Sequence, residues 1–434
     1  MRHSLIRCLS ILLVFSAIST HTTAQSTSSR RTIPIEELLN GPDRQDLPWK
    51  ITVQPPRLMY QQRFIVQIRV RIPSSAVTSS TTRRSLHFIL RVKTEDGSWS
   101  KDGQFNDFPV PANLGNQKDI EYATGVYFRP GNYTLALIAI ERDTGKISVL
   151  HRLVRVDPVK DDPFPELDRH IPAVEFPAGF PQQEVAENDL TDGELFPIAH
   201  QDDWIAIDTG QPILLDVVLN ISKRSEIPRP DVPAFTRMDR VDPRSRGMMK
   251  RPTQPTYHLD IGRVLQIGNV ISHLSLKSGC IRVSAIDALR AKTIVDREDG
   301  KKLDWNKFED RIEKVDQNTV DASVLANKKG PAQFVNKYLD TLSNDSGACG
   351  SVSRHYVVVV SHEVSLPSGA KDERLASVNG ERARFYYLHG GALGMGDDIS
   401  EILKPVRPVH LDFSTPKEFR KSFGRLVGEM RSGR

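Results

Sequence analysis

The stretch DWIAIDTGQPILLDVVLNIS, Asp203–Ser222, decides how the second half of this chain is read. Ile213–Leu219 is almost wholly apolar, the pattern of a strand buried on both faces rather than of one with a wet side. Trp204–Ile207 reads as a partner arm, with Thr209-Gly210 as the turn of a hairpin. A second such run, YVVVVS (Tyr356–Ser361), is β-branched throughout and suits the centre of a parallel sheet.

Working outward from that pair, strand-like and helical periods alternate. Ile261, Val264, Leu265, Ile271 and Leu274 fall roughly on one helical face, CIRVSAID (Cys280–Asp287) and KTIVD (Lys292–Asp296) read as strands, and Trp305, Phe308, Ile312 and Val315 return to helical spacing. Phe334, Tyr338, Leu339 and Leu342 repeat that spacing, ARFYYLHG and PVHLDF (Pro408–Phe413) read as further strands, and Thr415-Pro416-Lys417-Glu418 caps a closing helix. The alternation predicts an α/β, doubly wound, mainly parallel sheet covered on both faces, a three-layer αβα or Rossmann-like unit over 203–434. Ligands of such sheets sit beyond the carboxyl ends of the strands. Asn220 and the loop after it lie at one such end, and Ser361-His362-Glu363 at another.

The first half carries a different period. RFIVQIRVRI (Arg63–Ile72) and LHFILRV (Leu86–Val92) alternate with a period of two, and Asp143-Thr144-Gly145 joins two long runs as a hairpin turn. About seven short strands with such punctuation predict an antiparallel, immunoglobulin-like β-sandwich over 48–157. Within RPGNYTLAL, Tyr133 is either a corner tyrosine that ties its hydroxyl back upstream or a half-buried strand aromatic. A Pro-rich, acidic stretch, 158–202, reads as an irregular connector with an edge strand at AVEF.

The amino terminus has Arg2 and Arg7, then the apolar run LSILLVFSAI, then Thr22-Thr23-Ala24 before Gln25. That is the pattern of a cleaved secretory signal peptide, residues 1–24, followed by a polar segment, 25–47, that reads as disordered. The expected location is therefore secreted or periplasmic, with no membrane span in the mature chain. Apolar residues make up 38% and charged residues 26% of the sequence. Its formal charge of +5 falls to +3 without the two leader arginines, too weak a balance to indicate nucleic acid. Cys280 and Cys349 remain after the leader's Cys8. They either pair in an oxidising compartment or sit as separate buried thiols.

The second half resembles a von Willebrand factor type A domain. The resemblance spans about Pro212–Arg434 and rests on the first apolar strand ending LNISKRS, a middle loop with Thr319, and the strand YVVVVSHEVS. It implies a magnesium-dependent adhesion site built from an Asp and two Ser in the first loop, a Thr in the middle loop and an Asp after the later strand. Here those positions fall on Asn220, Ser222, Ser225, Thr319 and Ser361, with Lys223 and Arg224 intruding. Two anionic ligands are missing, and a cation beside a divalent ion costs several kcal/mol even at an effective dielectric of about 20. The expectation is no cofactor and no tight metal; Glu363 or Asp321 supplies the carboxylate in a weak magnesium alternative. The candidate ligand-binding set is Asn220, Ser222, Lys223, Arg224, Ser225, Thr319, Ser361 and Glu363.

An insertion at this rim, 227–255, has seven Lys/Arg against three Asp and six Pro. It reads either as a basic contact arm or as a solvated loop. Cys349, His355 and Asp345 cluster in sequence only, and HGGALGMGDD (His389–Asp398) lacks the lysine of a phosphate loop. The reading is a non-catalytic protein that recognises a protein or cell-surface ligand through this rim. An accessory or hydrolase-like enzyme and a structural envelope protein are the alternatives; partner and oligomeric state stay open.

Overall fold

The structure is a computed structural model of the 434-residue chain, and describes residues 34–77, 84–110, 119–177, 205–208, 210–222, 261–314, 327–345, 349, 352–367, 383–390 and 397–432. Two units result, Met1–Gly41 and Pro42–Arg434. The first contributes one described helix, α1 (Ile35–Asn40).

In the second unit, alternating sequence gives two antiparallel sheets. One runs β1 (Arg44–Gln45), β9 (Lys146–Val156), β8 (Gly131–Glu141), β5 (Arg84–Lys93), β6 (Gln104–Val110). The other runs β10 (Val174–Glu175), β7 (Asp119–Phe128), β4 (Phe64–Pro73), β2 (Lys50–Val53), with β3 (Arg57–Leu58) also on β4. The buried members of each alternation, among them Val66, Val70, Phe88, Tyr122 and Leu137, share one core. Phe88 and Tyr122 stack across it with ring centroids 4.4 Å apart. The buried Tyr133 donates its hydroxyl to the Arg129 carbonyl at 3.0 Å, so it does make the corner tie. Short helical turns, α2 (Ser74–Val77) and α3 (Leu167–His170), punctuate this part.

The remaining strands form a six-stranded sheet in the order β15 (Lys292–Asp299), β14 (Gly279–Asp287), β12 (Ile213–Asn220), β16 (Arg354–Ser361), β17 (Arg384–Gly390), β18 (Val409–Phe413). Its helices are α4 (Ile261–Ser272), α5 (Trp305–Glu313), α6 (Gly330–Asn344), α7 (Asp398–Leu403) and α8 (Pro416–Ser432). Leu215, Val217 and Leu219 of β12 pack in one core with Val264, Ile271, Phe419 and Phe423. Val218 packs in another with Val335, Leu339 and Ile399.

Two expectations are corrected. First, the helix-rich, doubly wound three-layer α/β class expected for 203–434 does not describe this protein. Strand accounts for 44% and helix for 26%, and the sheets are antiparallel or mixed. Ten of the strands above belong to antiparallel sheets, and β15 returns against β14 in antiparallel register. A tight turn makes that return: the Asp287 carboxylate accepts from the Arg290 amide at 3.1 Å and pairs with its guanidinium at 2.6 Å, where a parallel crossover needs a helix-length connection. Second, Ile205–Ile207 does not form a hairpin with Ile213–Leu219. It is strand β11 and pairs in parallel with β13 (Leu274–Leu276). The reason is edge availability: β12 is already hydrogen-bonded to β14 on one side and β16 on the other.

The closing helix is capped as its sequence predicts. Glu418 accepts from the Ser414 and Thr415 amides at 2.7 and 3.2 Å, and Thr415 Oγ1 accepts from the Glu418 amide at 3.2 Å. The turn before β4 reaches this cap: Tyr60 donates its hydroxyl to the Ser414 carbonyl at 2.9 Å, and Gln62 Nε2 donates to that of Pro416 at 3.1 Å. The fully buried Arg420 of α8 holds Asp162 at 2.7 and 2.5 Å and Asp168 at 3.0 Å. Among the described residues no helix is long and apolar enough to cross a membrane.

Candidate functional site

Parallel register brings the ends of neighbouring strands to one rim. Ser361 pairs with His389, and His389 with Asp412, while Asn220 ends β12 beside them. Asn220 is fully buried, and its carboxamide is used in both directions. Nδ2 donates to Ser361 Oγ at 2.9 Å. Oδ1 accepts from the Ser222 amide at 3.2 Å, from Ser222 Oγ at 2.7 Å and from the Ala288 amide at 3.3 Å. The Ser222 contact is a side-chain turn, in which an Asn fixes the chain two residues on. Ser222 Oγ in turn accepts from the Leu289 amide at 3.2 Å, and Ser361 Oγ donates to the His362 carbonyl at 2.7 Å.

These bonds test the magnesium site that the family resemblance implies. A hard cation needs oxygen lone pairs turned outward, and at least one carboxylate in most protein sites. At this rim the amide oxygen has three donors, each hydroxyl oxygen already accepts one bond, and no carboxylate stands at position 220 or 361. Bonded in this way, Asn220, Ser222 and Ser361 offer such an ion neither a negative charge nor a free amide oxygen. Of the other candidates, Glu363 follows Ser361 at the rim, and Lys223, Arg224, Ser225, Thr319, Asp321 and the insertion lie outside the described residues.

The rim also holds residues that the sequence reading left aside. Asp397 and Asp398, the last two residues of HGGALGMGDD, begin an ordered helix. Asp397 caps α7, accepting from the Ile399 and Val364 amides at 3.3 Å each, and from the Tyr387 hydroxyl. Burial, the largest influence, raises the Asp397 carboxyl above its ordinary value, against the lowering effect of the Tyr387 hydrogen bond and nearby His389. Burial also pushes the Tyr387 phenol well up, reinforced by the Asp397 charge. His389 Nδ1 lies 3.5 Å from Asp412 Oδ1. Alternation along ARFYYLHG was the available signal, since it puts Tyr387 and His389 on one face; nothing in sequence tied them to Asp397.

A second polar cluster lies at the other end of the same sheet. Arg282 of β14 grips Asp216 of β12 with two bonds of 2.7 Å, and His355 Nε2 lies 2.7 Å from the same carboxylate. Arg282 and Arg297 both donate to Asp345 Oδ2, at 2.8 and 2.9 Å. Cys280 and Cys349 are joined in a disulfide, their Cα atoms 6.0 Å apart. The sulfur of Cys349 is thus committed to Cys280, His355 to Asp216 and Asp345 to the arginines, so the three do not act as a thiol, base and orienting acid.

No family model matches the chain, and no curated protein does. Among solved structures it is similar to a structural-genomics target determined by X-ray crystallography, at 8% identity over 28% of this chain and 92% of that one, TM-score 0.18. It is similar to a conjugate transposon protein from Bacteroides vulgatus determined by NMR, at 13% identity over 27% and 91%, TM-score 0.15. It is similar to a beta-glucosidase from Kluyveromyces marxianus, at 10% identity over 26% and 14%, TM-score 0.15. Likenesses this slight bear on neither the activity of this chain nor a type A domain.

Proposed function

We propose that this is a non-catalytic, secreted or periplasmic binding protein that takes a protein or surface ligand at the carboxyl-end rim of its six-stranded sheet, without a metal ion. One observation carries the reading: the Asn220 carboxamide, at the position where a metal-binding carboxylate is expected, is locked by four hydrogen bonds into the fold. A rim tied up in this way is a rigid platform, and rigid platforms bind with little ordering cost. The Cys280–Cys349 bridge supports an oxidising compartment. Lys223 and Arg224, next in sequence after Ser222, supply the charge for an acidic partner.

Calorimetry on the mature chain tests this in two steps. Magnesium chloride gives no binding heat, and a carboxylate-rich peptide is bound equally with and without magnesium. Replacing Lys223 and Arg224 by alanine weakens the peptide by about tenfold, the loss of one good charge contact. Tight magnesium binding, or peptide binding that needs the metal, overturns the reading.

A further inference from the structure

The lower cluster contains an arrangement that its structural role does not require. Arg282 and Arg297 come from adjacent strands and converge on a single oxygen, Asp345 Oδ2. Guanidiniums are favoured partners of carboxylate and phosphate oxygens. Arg282 is nearly buried, its side chain 7% exposed, whereas Arg297 is 34% and Asp345 25% exposed, so the pair opens to solvent on one side. Arg297 occupies a strained backbone position. Its φ is +50°, a conformation that costs a side-chain-bearing residue energy, and it sits where β15 slips register against Ser284.

Asp345 is an odd occupant of this seat. It caps the carboxyl end of α6, where the helix dipole disfavours a negative charge. Both arginines bond its carboxylate there. The disulfide is close by in sequence: Cys349 lies four residues after Asp345, and Cys280 two before Arg282. Asp216 and Asp296 neutralise the arginines in other directions. A foreign monoanion in place of Asp345 would therefore leave the cluster's charge unchanged.

We propose that Arg282 and Arg297 form an oxyanion-binding pair at the amino end of the sheet, that Asp345 fills it as an internal stand-in ligand, and that the Cys280–Cys349 bridge keeps the stand-in seated. The ligand class is a carboxylate or phosphate group. Opening the bridge with dithiothreitol breaks the S–S bond, leaves two protein thiols and oxidises the reagent to its cyclic disulfide; Asp345 then loses the covalent tether four residues away at Cys349. This site is remote from the rim and independent of the function proposed for it.

The test uses the full mature chain and inorganic phosphate, with binding read by calorimetry. Oxidised Asp345→Asn protein binds phosphate about tenfold more tightly than oxidised wild type, a coupling of ordinary size for two linked sites. Adding Arg297→Gln returns the affinity to the wild-type level. Wild type treated with dithiothreitol gains affinity in the same direction, and Arg297→Gln abolishes that gain too; this arm stands even where Asp345→Asn fails to fold. Phosphate affinity that is unchanged by reduction and by Asp345→Asn overturns the proposal, as does a gain that survives Arg297→Gln.

Discussion

The two ends of one sheet face solve the same problem in opposite ways. Asp216, Val218 and Asn220 alternate onto one side of β12, with the apolar core at Val218 between two polar ends. At the carboxyl end, Asn220, Ser222 and Ser361 satisfy one another with neutral hydrogen bonds, the buried Asp287 is paired with Arg290 within one tight turn, and the Asp397 carboxyl is raised toward its neutral form. At the amino end, Asp216, Arg282, His355, Asp345 and Arg297 form a linked ionic cluster. The difference teaches where each end is vulnerable. A neutral network loses one bond at a time, whereas an ionic one, once broken, leaves a charge stranded away from water. The cross-link lies at the ionic end, where the penalty for opening is larger.

The sharpest way to break this comparison is to strand a charge. Asp216→Ala removes the carboxylate that holds both Arg282 and His355, and is expected to cost about 3–5 kcal/mol in urea unfolding. An equal cost for Asn220→Ala would erase the distinction. Replacing both cysteines by serine frees a loop spanning 69 residues in sequence and is expected to lower stability by about 3 kcal/mol, read as a lower melting temperature without any reducing agent. At the neutral end, Asn220→Ala leaves the Ala288 amide and its neighbours short of a partner, at about 2 kcal/mol. The smallest effect sharpens the contrast. Because burial holds the Asp397 pKa above its unfolded value, the fold binds that proton more tightly. Its stabilising contribution is full below the unfolded value and declines as pH rises through the folded one. Asp397→Asn keeps a capping side chain, changes stability at neutral pH by less than about 1 kcal/mol and removes that slope from a pH series of unfolding curves.

What was legible in the sequence follows the physics of each pattern. Strand positions announced themselves wherever burial forced a period, as in the alternation of Arg63–Ile72 and the continuous run of Tyr356–Ser361. Pairing was less legible, because a strand's sequence does not say which edge is free. Ile205–Ile207 looked like the neighbour of Ile213–Leu219 and instead pairs with Leu274–Leu276. The direction of β15 was hidden for a related reason: the Asp287–Arg290 turn depends on one ion pair across three residues. Of the candidate site, Asn220, Ser222 and Ser361 were found by position and do meet. Asp397 and Tyr387 were missed because their link crosses from a strand to a helix cap, with no spacing rule to betray it. Of the cluster around Asp345, only Asp345 and His355 stood together in sequence; Asp216, Arg282 and Arg297 join them from distant strands, which a scan for neighbouring residues cannot see.

The bond from Tyr60 to the Ser414 carbonyl spans 354 residues of chain. Contacts of such separation close late, because the entropy of the intervening loop must be given up before they form. The turn before β4 therefore waits for the last helix to be made before it can settle. A growing chain that has not yet reached residues 414–416 lacks the acceptors for the Tyr60 and Gln62 bonds, and its early strands stay unsealed at that seam.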